Sequence, residues 1–64
     1  MSDKTKLENR IKQLGNVIRT DLKMFENGLT TVGTKQNSDY WLNFMRKEIY
    51  ELQTLSDQYH ASNT

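Results

Sequence analysis

Residues 40–46 read Tyr-Trp-Leu-Asn-Phe-Met-Arg and hold the only Trp and one of the two Phe of the chain. Wound as a helix, Trp41, Leu42, Phe44, Met45 and the following Ile49 cover close to half of its circumference. A single helix cannot leave that surface in water, and each large side chain removed from water contributes roughly 1.5–3 kcal/mol. Any fold open to this sequence must cover the segment, with the rest of the chain or with another chain.

The rest of the chain supplies one partner for it. Apolar residues recur at Leu7, Ile11, Leu14, Ile18, Leu22 and Phe25, steps of three and four that average close to one helical turn, with Val17 and Met24 widening the stripe. Thr5 with Glu8 three residues later fits a capping box, so the pattern predicts a first helix over about 5–27, with Ser2 or Asp3 as alternative caps. Asn27-Gly28 reads as a left-handed stop. The Gly- and Thr-rich stretch 28–38 reads as a connector. Asn37 or Ser38 then caps a second helix over about 39–60, whose stripe is Leu42, Met45, Ile49, Leu52, Leu55 and Tyr59, with Trp41, Phe44 and Tyr50 on its flanks. Two amphipathic helices joined by a short loop make an antiparallel hairpin, a single all-α domain over 1–64. Residues 3–27 carry a net +2 and residues 39–60 a net −2, which favours pairing the two unlike helices.

A chain of 64 residues is marginal by itself, and with no Cys it has no disulfide or thiolate-metal staple. A lone hairpin leaves Trp41, Val17, Met24 and Tyr50 partly uncovered. The expected solution is a symmetric helical-bundle homo-oligomer, a dimer or larger, with Trp41, Phe44, Met45, Tyr50 and Val17 at its interface. No apolar run approaches the ~20 residues of a membrane span, and no signal-peptide core follows Met1, so the sequence reads as cytoplasmic and membrane-free. Nine basic against eight acidic residues argue against a genomic-DNA binder.

No catalytic constellation is legible. His60, the one His, lies near the end of the chain without a triad or dyad partner, and no metal or cofactor is implied. Glu48 and Glu51 have the spacing of an acid-base or metal pair, but without a Glu-x-x-His partner they read as solvated surface. Gly33-Thr34-Lys35 is similar to the end of a phosphate loop within an incomplete pattern. It reads as a flexible loop whose Thr34 and Lys35 can assist an anion held by other groups. Lys12, Arg19 and Lys23 share one face of the first helix with Glu8 and Glu26. The plain reading of that face is solvated local ion pairs, and the functional one is a phosphate-binding strip completed by Arg46 or by a second subunit. Gly15 interrupts the first helix at a cost of about 1 kcal/mol relative to Ala, either tolerated or there to let a backbone or ligand approach.

Two segments carry a family resemblance. Asn9-Arg10-Ile11-Lys12-Gln13-Leu14-Gly15 resembles the start of the hairpin in the anti-CBASS cyclic-oligonucleotide sponges, small phage proteins that defeat nucleotide-signalling immunity. Trp41-Leu42-x-Phe44-x-Arg46-x-Glu48-Ile49 resembles their second hairpin helix. The resemblance implies a non-catalytic oligomer, commonly a hexamer, that sequesters cyclic di- and trinucleotides in pockets shared between subunits. It implies phosphate contact at Lys12 and trinucleotide contact at Arg46. Members of that family place a short helix with a base-stacking aromatic before the hairpin. Here only about six residues precede it and none is aromatic, so stacking would fall to Tyr40, Trp41 or Tyr59, or the ligand differs. Two other readings of the residues stand beside this one: a protein-binding hairpin that docks through Trp41, Phe44, Met45 and Tyr50, and an RNA-binding hairpin dimer.

Overall fold

The computed structural model describes residues 3–31 and 33–62. Helix α1 spans Asp3–Thr31 and helix α2 spans Lys35–Ala61. They lie antiparallel as the hairpin that the two stripes predict, and every described residue except Gly33, Thr34 and Ser62 is helical. The Cα positions extend over 47 × 16 × 10 Å. At 1.5 Å per residue a 29-residue helix is about 43 Å long, so the molecule is one helix long and two helices wide.

The helices run further than their sequence signals indicate. α1 passes through Gly28 to Thr31, and α2 starts at Lys35 rather than at 39, so of the connector expected over 28–38 only Gly33 and Thr34 are non-helical among the described residues. The expected starting residues Met1 and Ser2, Val32 of the connector, and Asn63 and Thr64 of the tail lie outside the described residues. The Thr residues read as loop formers stay helical because their hydroxyls bond back: Thr30 Oγ1 and Thr31 Oγ1 both donate to the Asn27 carbonyl, at 3.0 and 2.8 Å. Gly28 is a point of close approach inside α1 and not its cap. It is buried, and a Cβ there would overlap Nδ2 of Asn37 on α2. The left-handed residue is Gly33, at φ +65°, and its N–H closes α1 by donating to the Gly28 carbonyl at 2.6 Å. Thr34, not Asn37 or Ser38, caps α2: its hydroxyl accepts the Asn37 N–H at 3.1 Å.

The seam departs from the predicted stripes in an instructive way. Leu7, Ile11, Leu14, Ile18 and Phe25 turn inward as expected, but Asp21 stands among them and Leu22 is exposed. From α2 the inward residues are Trp41, Met45, Glu48, Leu52, Leu55 and Tyr59, while Leu42 and Ile49 are exposed. The two possible α2 stripes share Met45, Leu52, Leu55 and Tyr59. They differ by about 100°, one residue of helical turn, at the remaining positions. The observed one turns Trp41, the side chain with most apolar area to remove from water, toward α1, and it brings Glu48 with it.

Met45 and Leu55, at 8% and 7% exposure, are the buried hydrophobic residues among those described, and nine large apolar side chains remain exposed. The total accessible surface is 5096 Å². A compact folded monomer of 7.6 kDa is expected to show about 4,300 Å². The excess of about 800 Å² goes with the elongated outline of two paired helices.

Candidate functional site

Successive helical residues turn by about 100°, so each helix has two flanks beside its seam residues. On one side of the hairpin Ile11, Lys12, Gly15, Asn16, Arg19 and Leu52 line an open groove of about 440 Å³. On the opposite side Arg10, Gln13, Leu14, Val17, Glu51 and Leu55 line another of about 260 Å³. The helical period places Leu22, Leu42, Arg46 and Ile49 on the first side, and Met24, Tyr40 and Phe44 on the second.

Gly15 is the floor of the first groove. It is half-buried, yet an added Cβ would meet nothing nearer than Arg19 Nη1 at 4.0 Å. The hairpin therefore does not need a glycine at this position in order to close, unlike at Gly28. Lys12 Nζ, on the rim, pairs with Glu8 at 3.1 Å, and Arg19 Nη1 donates to Asn16 Oδ1 at 2.8 Å. These partners hold the two cationic heads at the groove edge at little energetic gain, since exposed pairs are worth under ~1 kcal/mol each. Arg46 stands on the same side in a smaller hollow with Leu42, Met45 and Ile49. It is six residues from Leu52 along α2, about 9 Å from the groove at 1.5 Å per residue. The two residues singled out by the family resemblance, Lys12 and Arg46, thus share a face without sharing one pocket.

The other expected ligand residues gather at the turn end. Thr34 and Tyr40 border a shallow depression with Gln36 and Asn37. The Thr34 hydroxyl is engaged as the α2 cap and Lys35 Nζ pairs with Asp39 at 2.8 Å. Gly33 and Thr34 lie between the helices and Lys35 begins α2, and the Gly33 amide is spent on the Gly28 carbonyl and not open to a phosphate. Of the expected interface residues, Val17, Phe44 and Tyr50 are exposed, Tyr50 at 77%. Met45 is buried against α1 of the same chain and Trp41 is half-buried, so much of their apolar surface is covered within the hairpin. Tyr40, Trp41 and Phe44 form an edge-on cluster, with Tyr40 centroids 5.2 Å from Trp41 and 5.0 Å from Phe44. Tyr40 and Phe44 also line a cleft of about 180 Å³ with Asn43 and Lys47.

One arrangement was not anticipated. Glu48, read from the sequence as solvated, faces Asp21 across the seam. Both Glu48 carboxyl oxygens are shut off from solvent and meet no donor. Loss of hydration, then the hydrogen bond to Asp21, then repulsion from the Asp21 and Glu51 charges push its pKa up from 4.5 to about 7. Two carboxylates are both acceptors, so the bond between them exists only when one carries a proton. The sequence signal for this pair is spacing: Glu48 sits three and four residues from Met45 and Leu52, and Asp21 three and four from Ile18 and Phe25. Among the described residues no helix is long and apolar enough to cross a membrane, and no three His, Cys, Asp or Glu gather as a metal cage. The chain matches no known family model, no curated protein and no solved structure, so the likeness to the cyclic-oligonucleotide sponges is carried by the quoted residues alone.

Proposed function

We propose that this chain is a non-enzymatic binding protein that self-associates and sequesters a phosphorylated small ligand, with cyclic oligonucleotides the class to which the family resemblance points. The observation that carries the reading is the Gly15 groove. Its backbone floor is bare without any need inside the hairpin, and its rim holds Lys12 and Arg19. A phosphate needs charged donors and close backbone approach, and a base needs an apolar wall such as Ile11 and Leu52 offer. The exposed apolar flanks support the assembly, and a second copy laid against the flank of Leu22, Leu42 and Ile49 would bring its own cations near this groove. The test is native mass spectrometry and calorimetric titration with a panel of cyclic and linear nucleotides, beside light scattering for mass. An oligomer that takes up a cyclic nucleotide, with Lys12→Ala and Arg19→Ala each weakening uptake about ten- to a hundredfold at unchanged mass, supports it. Failure to bind any of the panel refutes it.

A second reading, docking on a foreign protein, draws on a separate observation. Tyr40 and Phe44 are 55% and 44% exposed and are braced edge-on, as preformed aromatic anchors would be. A monomeric mass with no nucleotide bound would favour it. The RNA-binding reading is weaker, because Arg10 lies on the opposite side from Lys12 and Arg19 and is held by Glu51 at 3.2 Å. That arrangement divides the basic surface of α1.

A further inference from the structure

We propose that Asp21 and Glu48 are a proton-sharing pair that makes closure of the hairpin depend on pH, holding it most firmly in mild acid and loosening it as the pH rises through neutrality. The ground is geometric. Each residue occupies a seam position between apolar neighbours, Ile18 and Phe25 around Asp21, Met45 and Leu52 around Glu48. Both Glu48 oxygens lack surface and lack a donor, so water cannot dilute the charge and no N–H offsets it. The groups facing Glu48 are acidic: Asp21 from α1, and Glu51 from its own helix. The cations of α1 on this stretch are engaged elsewhere: Arg10 with Glu51, Lys12 with Glu8, and Arg19 with the Asn16 side chain. With one proton present, Glu48 donates to the Asp21 carboxylate and the pair is a hydrogen bond. With none, two negative charges face each other inside the seam that holds the molecule together.

The direction of the effect follows from linkage. The folded chain binds the Glu48 proton up to about pH 7, whereas the unfolded chain releases it near 4.5. Between those values the folded state holds more protons than the unfolded state, so stability falls as pH rises, and the loss is complete above about 7. This is opposite to the usual carboxylate, whose ion pairs make a protein more stable above pH 5. Each unit of raised pKa corresponds to tenfold in the unfolding equilibrium. Because the Glu48 side chain is only partly buried, the expected change is on the order of tenfold to a hundredfold, less than the full shift would imply.

The experiment is urea denaturation of the whole protein at a fixed concentration, at pH 5 and pH 8, for wild type, Glu48→Gln and Asp21→Asn, with a carbon-detected NMR titration of the wild-type carboxyls. Glu48→Gln keeps shape and can donate to Asp21 at every pH. It should remove the excess loss of stability between pH 5 and 8 and be more stable than wild type at pH 8. Asp21→Asn should lower the midpoint at which Glu48 titrates. The NMR titration should place that midpoint near neutrality in the wild type. A Glu48 carboxyl that titrates in the ordinary glutamate range would overturn the proposal, whatever the variants do. So would a Glu48→Gln stability profile parallel to that of wild type.

Discussion

Single residues in this chain differ by what their side chain, or its absence, would meet. Gly33 alone among the described residues sits at positive φ, and Gly33→Ala should cost about 1–2 kcal/mol because a Cβ crowds the carbonyl in that conformation. Urea denaturation at one fixed concentration checks it. Gly15 behaves oppositely. Nothing occupies the space where its Cβ would go, so Gly15→Ala should stabilise α1 by up to about 1 kcal/mol through helix propensity alone. If the groove is a ligand site, the same substitution should weaken nucleotide uptake while raising the melting temperature. That split of two readouts separates a functional glycine from a tolerated one. Arg10→Ala should lose under about 1 kcal/mol and less in high salt, because its pair with Glu51 is solvent-exposed at both ends.

The helices owe their limits to local chemistry and their register to the partner helix. α2 starts where Thr34 accepts the Asn37 N–H, and Thr34→Ala should cost about 0.5–2 kcal/mol with loss of order at the first turn of α2. Amide exchange over 35–38 is the direct readout. Expected exchange is faster there and unchanged in the middle of α2. At the other end Ser62 N–H donates to the Gln58 carbonyl at 3.0 Å and its hydroxyl to Tyr59 at 2.9 Å, closing the last turn without a glycine. The turn is tight because Thr30 and Thr31 keep α1 wound to its end and Gly33 then takes the left-handed conformation. A shorter α1 would leave Gly28 outside the helix and free of Asn37.

For the molecule taken whole, the deciding quantity is surface. Two helices shield one stripe each, and Leu22, Leu42 and Ile49 on one side, with Val17, Met24, Tyr40 and Phe44 on the other, stay in contact with water. We expect light scattering to give a mass above the 7.6 kDa of one chain, and melting to move upward with protein concentration, since association stabilises the folded state by mass action. Ile49→Glu should abolish that dependence with little loss of helicity, because Ile49 is 54% exposed in the single hairpin and lies off the seam. A monomeric wild type at all concentrations would instead assign the apolar flanks to a foreign partner.

The order of elements, the hairpin and the opposition of a basic and an acidic helix are legible in the sequence, because helical period, caps and charge act within a few residues of one another. The Lys12, Arg19 and Lys23 face is legible for the same reason, whereas the groove that sets Gly15 between Lys12 and Arg19 needs Leu52 of α2 to form its other wall. The choice between two α2 stripes one residue apart is not, since both have good spacing and only packing against α1 weighs Trp41 against Leu42 and Ile49. Gly28 shows the same limit. As a sequence feature it is a stop signal, and only the approach of Asn37 turns it into a packing residue. The Asp21–Glu48 pair is the clearest case. Separated by 27 positions, each acid alone reads as a charge for water to solvate, and the shielded Glu48 oxygens beside Asp21 exist only once the two stripes have met.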